Sequence, residues 1–129
     1  MPLVRIDVQQ GRTPEQLRRI ADTVQQVMLD VFAAPSRDRY QIITEHPVGQ
    51  IIAEDTGLGL ERSDGVTVIQ IFQQGRNVEQ KQAAYAALAD RLDAECGIRP
   101  ADLIVSVTAN EPADWSFGLG RAQFLTGEL

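Results

Sequence analysis

Cysteine and histidine are almost absent from this sequence of 129 residues, which contains one of each, Cys96 and His46. One cysteine cannot form a disulfide within the chain, and one cysteine with one histidine is too few for a structural zinc site. The sequence therefore gives no support to a redox or structural-metal role. It implies no metal, nucleotide or prosthetic group.

Positive charge and long apolar runs are also scarce. The chain has 12 lysines and arginines against 18 aspartates and glutamates, for a net charge of −6. This balance argues against nucleic acid as a partner, because phosphates attract a basic surface. No apolar run is long enough to cross a bilayer, and Arg5 and Asp7 interrupt the segment that would be apolar in a signal peptide. We therefore predict a cytoplasmic protein whose partner is a small molecule or another protein.

One eight-residue segment occurs twice with small differences: residues 9–16 are QQGRTPEQ and residues 73–80 are QQGRNVEQ. Before each copy, at 3–8 and 66–72, the residues have the pattern of a strand. After each copy, apolar residues recur at helical spacing. Each copy is therefore predicted to be the junction between a strand and a helix.

The junctions carry the signals of helix ends. Thr13 and Asn77 are predicted N-caps, and Gln16 and Gln80 stand three residues later, where a capping box has Glu or Gln. Gly97 is predicted to end the second helix, because glycine readily adopts the left-handed conformation found there.

Each predicted helix is followed by a further strand, at 40–44 and at 103–107, so both halves are βαβ units. The prolines that flank these strands keep an offset of about sixty-five residues, as an internal duplication would leave. We predict one domain over 1–129, with halves at about 2–46 and 66–112 and a C-terminal tail. The fold class is α/β (α+β in some schemes), with a four-stranded mixed sheet.

Right-handed crossovers place both helices on one face of such a sheet and leave the other face bare. The strands that begin near Val66 and Leu103 are apolar on both sides. The bare face is therefore predicted to be an exposed apolar patch that drives self-association.

A tandem βαβ chain that opens with Met-Pro resembles the tautomerase superfamily, whose members use an N-terminal proline exposed by removal of the initiator methionine. The segments GRTPEQ, RDRYQI, EDTGLGLERS and DWSFG resemble its malonate semialdehyde decarboxylase branch, and together they span nearly the whole chain. The resemblance implies the fold of this superfamily, a homotrimer, and decarboxylation of a small 3-oxo acid without a cofactor, with hydratase activity as a possible side reaction.

Carried over position by position, the resemblance implies that Pro2 is the catalytic amine, Asp38 its acidic partner and Arg76 the cation that binds the substrate carboxylate. The best-known members have two arginines in the turn after the third strand, and the first of these positions is Gln74 here. We assign Gln74 to substrate binding. Four residues of the tail are implied to form an apolar wall of the site: Trp115, Phe117, Phe124 and Leu129.

The reaction itself calls for these residue types. Loss of CO2 from a 3-oxo acid leaves an enolate, which a cation at the carbonyl oxygen stabilises. A protonated Pro2 supplies that cation, and a planar guanidinium binds and orients the departing carboxylate. If Pro2 is instead neutral, it is a base suited to keto-enol tautomerisation of a 2-oxo acid. Asp38 raises the pKa of the amine and Arg76 lowers it, so the sequence leaves both reactions open.

Structural interpretations of the same residues stand beside these. Arg76 is interpreted as a turn residue if it behaves like its repeat counterpart Arg12. In that case Arg12→Ala and Arg76→Ala would cause similar small losses of stability. A purely functional Arg76 would leave stability little changed. The remaining alternative is a non-enzymatic binding oligomer, which applies if Met1 stays attached and converts the Pro2 amine into an uncharged amide.

Overall fold

The computed structural model describes residues 2–129 of the chain, and Met1 lies outside the described residues. The main elements are, in chain order, β1 (Leu3–Gln9), α1 (Pro14–Phe32), β2 (Tyr40–His46), β3 (Thr67–Gln74), α2 (Val78–Cys96) and β4 (Leu103–Asn110). Short 3-10 turns at Pro100–Asp102 and Pro112–Asp114 flank β4, and one helical turn, α3, covers Gln123–Thr126. Both predicted βαβ units are present, and their strands end one to three residues later than predicted.

The four strands form one mixed sheet in the order β2-β1-β3-β4. Strands β1 and β2 are parallel, as are β3 and β4, while the central pair β1 and β3 is antiparallel. Leu3 pairs with Tyr40 of β2 and with Phe72 of β3, and Phe72 pairs with Thr108 of β4. The starts of β1 and β2 therefore lie beside the ends of β3 and β4. We call this the proximal end of the sheet.

Both helices pack on one face of this sheet, as predicted. In β1, Val4, Ile6 and Val8 are fully buried, and intervening residues are more exposed, because side chains alternate between the two faces of a strand. The same alternation continues in β3, with Ile69 and Ile71 buried. The helices supply the rest of the core: Ile20, Val24, Val27, Met28, Phe32, Ala84, Leu88 and Leu92.

Within residues 2–129, no helix is both long and apolar enough to span a membrane.

Both predicted capping boxes are confirmed. In α1, Thr13 Oγ1 accepts from the N–H of Gln16 at 3.2 Å, and Gln16 Oε1 accepts from the N–H of Thr13 at 2.9 Å. In α2, Asn77 and Gln80 make the corresponding bonds at 2.8 and 3.1 Å. These reciprocal bonds satisfy backbone donors that a helix leaves unpaired at its first turn.

The bare face of the sheet is less uniformly apolar than predicted. Leu3 and Phe72 are half-buried there and pair with each other. The next pair on the same face is Arg5 with Gln70, and both of these polar residues are exposed. Most of the exposed large apolar side chains lie instead in the segment between the halves and in the tail: Val48, Ile52, Leu58, Leu60, Leu119, Leu125 and Leu129.

The two helices end on equivalent residues of different type, which predicts opposite effects on stability. Ala33 and Gly97 both have the left-handed conformation, with φ of 51° and 67°. Alanine is strained there, because its Cβ approaches the following carbonyl oxygen. Ala33→Gly should therefore raise the free energy of unfolding by about 0.5–1 kcal/mol, and Gly97→Ala should lower it by about 1 kcal/mol. Urea unfolding at one fixed protein concentration measures both, and two changes of the same sign would contradict the analysis.

Candidate active site

Four of the residues that the sequence predicts for the site lie at the proximal end of the sheet. Pro2 directly precedes β1, and Asp38 lies two residues before β2. Gln74 is the last residue of β3, and Arg76 follows it in the turn that leads to α2. The antiparallel pairing of β1 with β3 is what brings Pro2 and Arg76, which are far apart in sequence, to the same end of the sheet.

Pro2 lies across from Gln73 when the β1–β3 register is continued by one residue. Both residues are buried, and both belong to the helix-covered face of the sheet, because they continue the buried alternation of Val4 and Ile71. Gln73 is therefore the residue of β3 that stands between the start of β1 and the turn that carries Arg76.

Asp38 is almost completely buried, with 4% of its surface exposed. Its N–H donates to the carbonyl of Pro35 at 3.0 Å, which closes the turn between α1 and β2. A cleft of about 500 Å³ opens beside it. One wall of this cleft is the turn that carries Asp38, and the other wall is the C-terminal tail, including Phe117 and Leu129. Pro2, Gln74 and Arg76 are not among the residues that line this cleft.

Arg76 binds the end of α1 and its own turn. Its Nε and Nη2 donate to the carbonyl of Phe32, the last residue of α1, at 3.1 and 2.7 Å. Its Nη1 donates to the carbonyls of Gln74 and Gly75 at 2.9 and 2.8 Å. The guanidinium also lies 5.6 Å from the centre of the Phe32 ring. Arg76 therefore satisfies a helix carbonyl that would otherwise be unpaired, and it fastens α1 to the turn after β3.

These four bonds occupy four of the five N–H groups of the guanidinium and leave one on Nη2. Partial burial lowers the pKa of Arg76, although a guanidinium stays protonated at neutral pH. Because the three acceptors are uncharged carbonyls, the positive charge of the group is oriented without being neutralised.

The Gln73 amide contacts the same guanidinium. With its oxygen directed at the cation, as hydrogen bonding requires, that oxygen lies 2.8 Å from Nη2, 2.9 Å from Nε and 3.2 Å from Nη1. An oxygen at similar distances from all three nitrogens lies over the face of the planar group. Gln73 therefore supports the cation from above, while the backbone carbonyls hold its edges.

The repeat counterpart Arg12 has a different environment. It lies near the end of α2, in a small cavity lined also by Arg19, Glu95 and Cys96. Among residues 2–129, no group accepts a hydrogen bond from its side chain. Burial raises the pKa of the Cys96 thiol, the counterpart of Phe32 in the second half. The segment QQGR is therefore identical in the two halves, but Arg76 makes contacts that Arg12 does not make.

The tail aromatics form one cluster. The Trp115 ring stacks on Phe117 at 5.3 Å, and Phe124 meets Phe117 edge-on at 5.4 Å between ring centres. Trp115 Nε1 donates to Asn110 Oδ1 at 2.8 Å, which fixes the indole to the end of β4. Phe117 also stacks on Tyr40 at 5.6 Å. The tail therefore crosses the proximal end of the sheet from β4 to the start of β2.

Gln74 faces away from the Gln73 amide, because neighbouring residues of a strand point to opposite faces. Its side-chain oxygen is buried and has no hydrogen-bond partner among residues 2–129. A buried acceptor without a donor is costly, so this oxygen is a candidate contact for a ligand or for another subunit.

Three residues of this region were not predicted from the sequence: Phe32, Tyr40 and Gln73. Tyr40 lies two residues after Asp38 in the segment RDRYQI, and this closeness in sequence is a signal that could have identified it. Gln73 carried the clearest missed signal, a polar residue at a position where the alternation of β3 requires burial. Nothing in the sequence pattern indicates that the carbonyl of Phe32 receives Arg76.

A mixed sheet built from two βαβ units, with a proline before its first strand, defines the class of tautomerase-like folds. Two family models, each described as tautomerase enzyme, match residues 2–61 and 38–118. The chain is 49% identical over 129 residues to probable tautomerase YrdN from Bacillus subtilis (strain 168), with full coverage of both chains. The chain belongs to the tautomerase family.

Solved structures place it more closely within that family. A crystal structure of malonate semialdehyde decarboxylase is similar with a TM-score of 0.94 and 43% identity, covering 98% of each chain. FG41 malonate semialdehyde decarboxylase inhibited by 3-bromopropiolate gives 0.93 and 48%, covering 98% of this chain and 97% of that one. The chain thus falls in the malonate semialdehyde decarboxylase branch. A symmetric trimer of fused 4-OT shares the fold, with a TM-score of 0.80 and 21% identity, covering 97% of this chain and 98% of that one.

The contacts of Arg76 predict that the two repeat arginines differ in stability. Arg76→Ala leaves the Phe32 carbonyl without its donors and should lower the free energy of unfolding by about 1–3 kcal/mol. Arg12→Ala should change it by less than about 0.5 kcal/mol. Urea unfolding of both variants at one protein concentration measures the difference. Equal losses would show that the bonds to Phe32 do not contribute to stability.

Proposed function

We propose that the protein decarboxylates a small 3-oxo acid such as malonate semialdehyde, with Pro2 as general acid. The observation that carries the proposal is the gathering of an N-terminal proline, a buried carboxylate and an oriented, un-neutralised guanidinium at one end of the sheet. The high similarity over the whole chain to two structures of malonate semialdehyde decarboxylase supports it. Removal of Met1 is required, because only then is Pro2 an amine.

Charge moves from the carboxylate to the carbonyl oxygen as the carbon–carbon bond breaks. The electron pair of that bond becomes the enolate, and CO2 leaves. A protonated Pro2 near the carbonyl oxygen stabilises the enolate and can then deliver a proton to it. The buried carboxylate of Asp38 favours the protonated amine, since a nearby negative charge raises the pKa of a cationic group.

Arg76 is proposed to bind the substrate carboxylate. The N–H on Nη2 that makes no bond to a backbone carbonyl can donate one bond. A second bond requires Nη1 to leave the carbonyl of Gln74, at the end of β3, or that of Gly75, in the turn that follows. The bonds to Phe32 can stay in place, so the guanidinium keeps its position while it binds.

The aromatic cluster is proposed to exclude water from the reacting carboxylate. Phe117 and Leu129 line the cleft beside Asp38, and Trp115 and Phe124 hold Phe117 in place by ring contacts. An apolar wall disfavours a localised carboxylate charge and favours release of neutral CO2. Gln74, whose oxygen has no donor among the described residues, is proposed to contact a hydroxyl or a protonated group of the bound molecule.

Keto-enol tautomerisation of a 2-oxo acid is the second candidate, favoured by the name of the full-length relative, probable tautomerase YrdN. It uses Pro2 as a neutral base. The two reactions have opposite pH dependence: a Pro2 acid loses activity as the pH rises through the pKa of the amine, and a Pro2 base loses it as the pH falls through that value. Hydration of an activated alkyne would use the same protonated Pro2 as the decarboxylase.

Arg76 and Arg12 provide a matched test of this function. Arg76→Ala should reduce kcat/KM for 3-oxopropanoate by about thirty- to a thousand-fold, because it removes a carboxylate contact worth roughly 2–4 kcal/mol in the transition state. Arg12→Ala should leave it within about threefold. Arg76→Lys should recover part of the activity, since it keeps the charge but loses the planar fork.

The assay needs protein whose intact mass shows that Met1 is absent. Each variant is assayed at a temperature where its unfolding curve shows a folded protein, which separates lost chemistry from lost stability. Equal losses in Arg12→Ala and Arg76→Ala would overturn the role of Arg76. No turnover of 3-oxopropanoate or of phenylenolpyruvate by the unaltered protein would favour the non-enzymatic binding oligomer.

We also propose that the protein assembles as a homotrimer, as the fused 4-OT structures do. The segment between the two halves exposes several apolar side chains, with Ile52 87% exposed and Leu58 73% exposed. Solvent-facing apolar residues grouped along one segment are typical of a surface that another subunit covers.

Ile52 and Val78 offer a matched pair for the assembly. Ile52→Glu places a charge in the proposed interface and should reduce the mass in solution from three chains toward one. Val78 is 62% exposed at the start of α2, on the helical side of the sheet, and Val78→Glu should leave the mass unchanged. Light scattering after size exclusion measures both. A single-chain mass for the unaltered protein would contradict the trimer.

A further inference from the structure

Gln73 is a buried polar residue that neither the resemblance nor the proposed reaction accounts for. It is 1% exposed, although its neighbours on the same face of β3 are apolar. A buried amide is costly unless its polar atoms have partners. Its position is therefore informative, and the group that it contacts is Arg76.

The contact between Gln73 and Arg76 is specific in geometry. The amide oxygen lies within 3.2 Å of all three guanidinium nitrogens, and the side chain of Arg76 runs beneath it to the carbonyl of Phe32. An uncharged oxygen over a cation stabilises it by its dipole and leaves its net charge intact. The N–H groups lie in the plane of the guanidinium, so four of them remain directed at backbone carbonyls and the fifth, on Nη2, is directed away from them.

Gln73 also lies across from Pro2 when the β1–β3 register is continued by one residue beyond Leu3 and Phe72. One rigid strand residue thus stands beside the proposed acid and holds the proposed carboxylate ligand. Strand residues position a site more rigidly than loop residues do, and Arg76 itself is in a turn. Gln73 therefore joins the strand position next to the start of β1 to the guanidinium of Arg76.

We propose that Gln73 is a positioning residue, which fixes the Arg76 guanidinium against the end of α1 and so sets the place of the substrate carboxylate relative to Pro2. The kinetic part of this inference rests on the proposed function. The structural part, that Gln73 immobilises Arg76, does not.

The repeat supplies the control. Gln9 is the counterpart of Gln73 in QQGR, at the end of β1, and it is only half-buried. Gln73→Met and Gln9→Met each replace the amide by an apolar side chain of similar length. Gln73→Glu keeps an oxygen over the guanidinium but adds a negative charge that neutralises it.

The first measurement is hydrogen exchange of the Arg76 Nε–H by NMR, which needs no substrate. Gln73→Met should speed this exchange by at least about tenfold, because the guanidinium loses the contact that holds it against Phe32. Gln9→Met and Gln73→Glu should leave it within about threefold of the unaltered protein. Unchanged exchange in Gln73→Met would overturn the inference whether or not the protein is a decarboxylase. If Gln73→Met does not fold, Gln73→Ser takes its place with the same expectation.

The second measurement is the kinetics with 3-oxopropanoate. Gln73→Met should raise KM by about tenfold or more and reduce kcat less, since a misplaced guanidinium mainly weakens carboxylate binding. Gln73→Glu should also raise KM, although its Arg76 remains immobile, because the charge is neutralised. Gln9→Met should change neither constant. A KM for Gln73→Met within twofold of the unaltered protein would overturn the positioning role, and absence of any turnover by the unaltered protein would count against the proposed function alone.

Discussion

The antiparallel pairing of β1 with β3 is the constraint on which the other features of this protein depend. It joins two βαβ units into one continuous sheet and aligns Leu3 with Phe72. The first residue after Met1 is thereby placed beside the turn that ends β3, although more than half of the chain separates them. A shift of the register by one residue would exchange the two faces of β1 and expose Val4, Ile6 and Val8. The hydrophobic core and the location of the proposed site are therefore fixed by the same pairing.

The two halves show how a duplicated unit has acquired different roles at equivalent positions. Asp38 and Asp102 occupy the same turn before a strand, and each N–H donates to a carbonyl three residues earlier, at 3.0 and 2.9 Å. In the second half, the Asp102 carboxylate accepts from the N–H and hydroxyl of Ser63, at 2.7 and 2.5 Å. That carboxylate fastens the connecting segment to the start of β4. The counterpart of Pro2 in the second half is Val66, which lies inside the chain and directly precedes β3.

The sequence predicted the fold well because the fold is determined by local signals that occur twice. Caps, alternation and helical spacing each involve residues within a few positions, and the duplication gives each signal a second copy. The resemblance to a family supplied Asp38 and the tail aromatics. The contacts of Arg76 could not be predicted, because they join the turn after β3 to a carbonyl at the end of α1. Every residue type has a backbone carbonyl, so the side chain of Phe32 does not indicate that its carbonyl accepts these bonds. From the sequence, Phe32 is predicted only to be a core residue. The bare face differs from the prediction for a related reason: the pairing of β1 with β3 brings the polar Arg5 and Gln70 together on that face, and this pairing is not a local signal.

Arg76 combines a structural and a proposed catalytic role, and the chemistry of its partners explains how both can coexist. A carboxylate partner would hold the guanidinium more strongly, but it would neutralise the charge that a substrate carboxylate requires. Carbonyl oxygens of Phe32, Gln74 and Gly75 are dipoles without net charge, so they orient the cation before a ligand arrives and leave its charge available. The cost is that most donors are already occupied, and a ligand must displace one of these acceptors. In the proposed exchange Nη1 gives up the carbonyl of Gln74 or Gly75, whereas the Phe32 carbonyl keeps its two bonds. The proposed site therefore separates anchoring from binding on a single side chain: one edge of the guanidinium holds the fold and the other exchanges a backbone carbonyl for substrate.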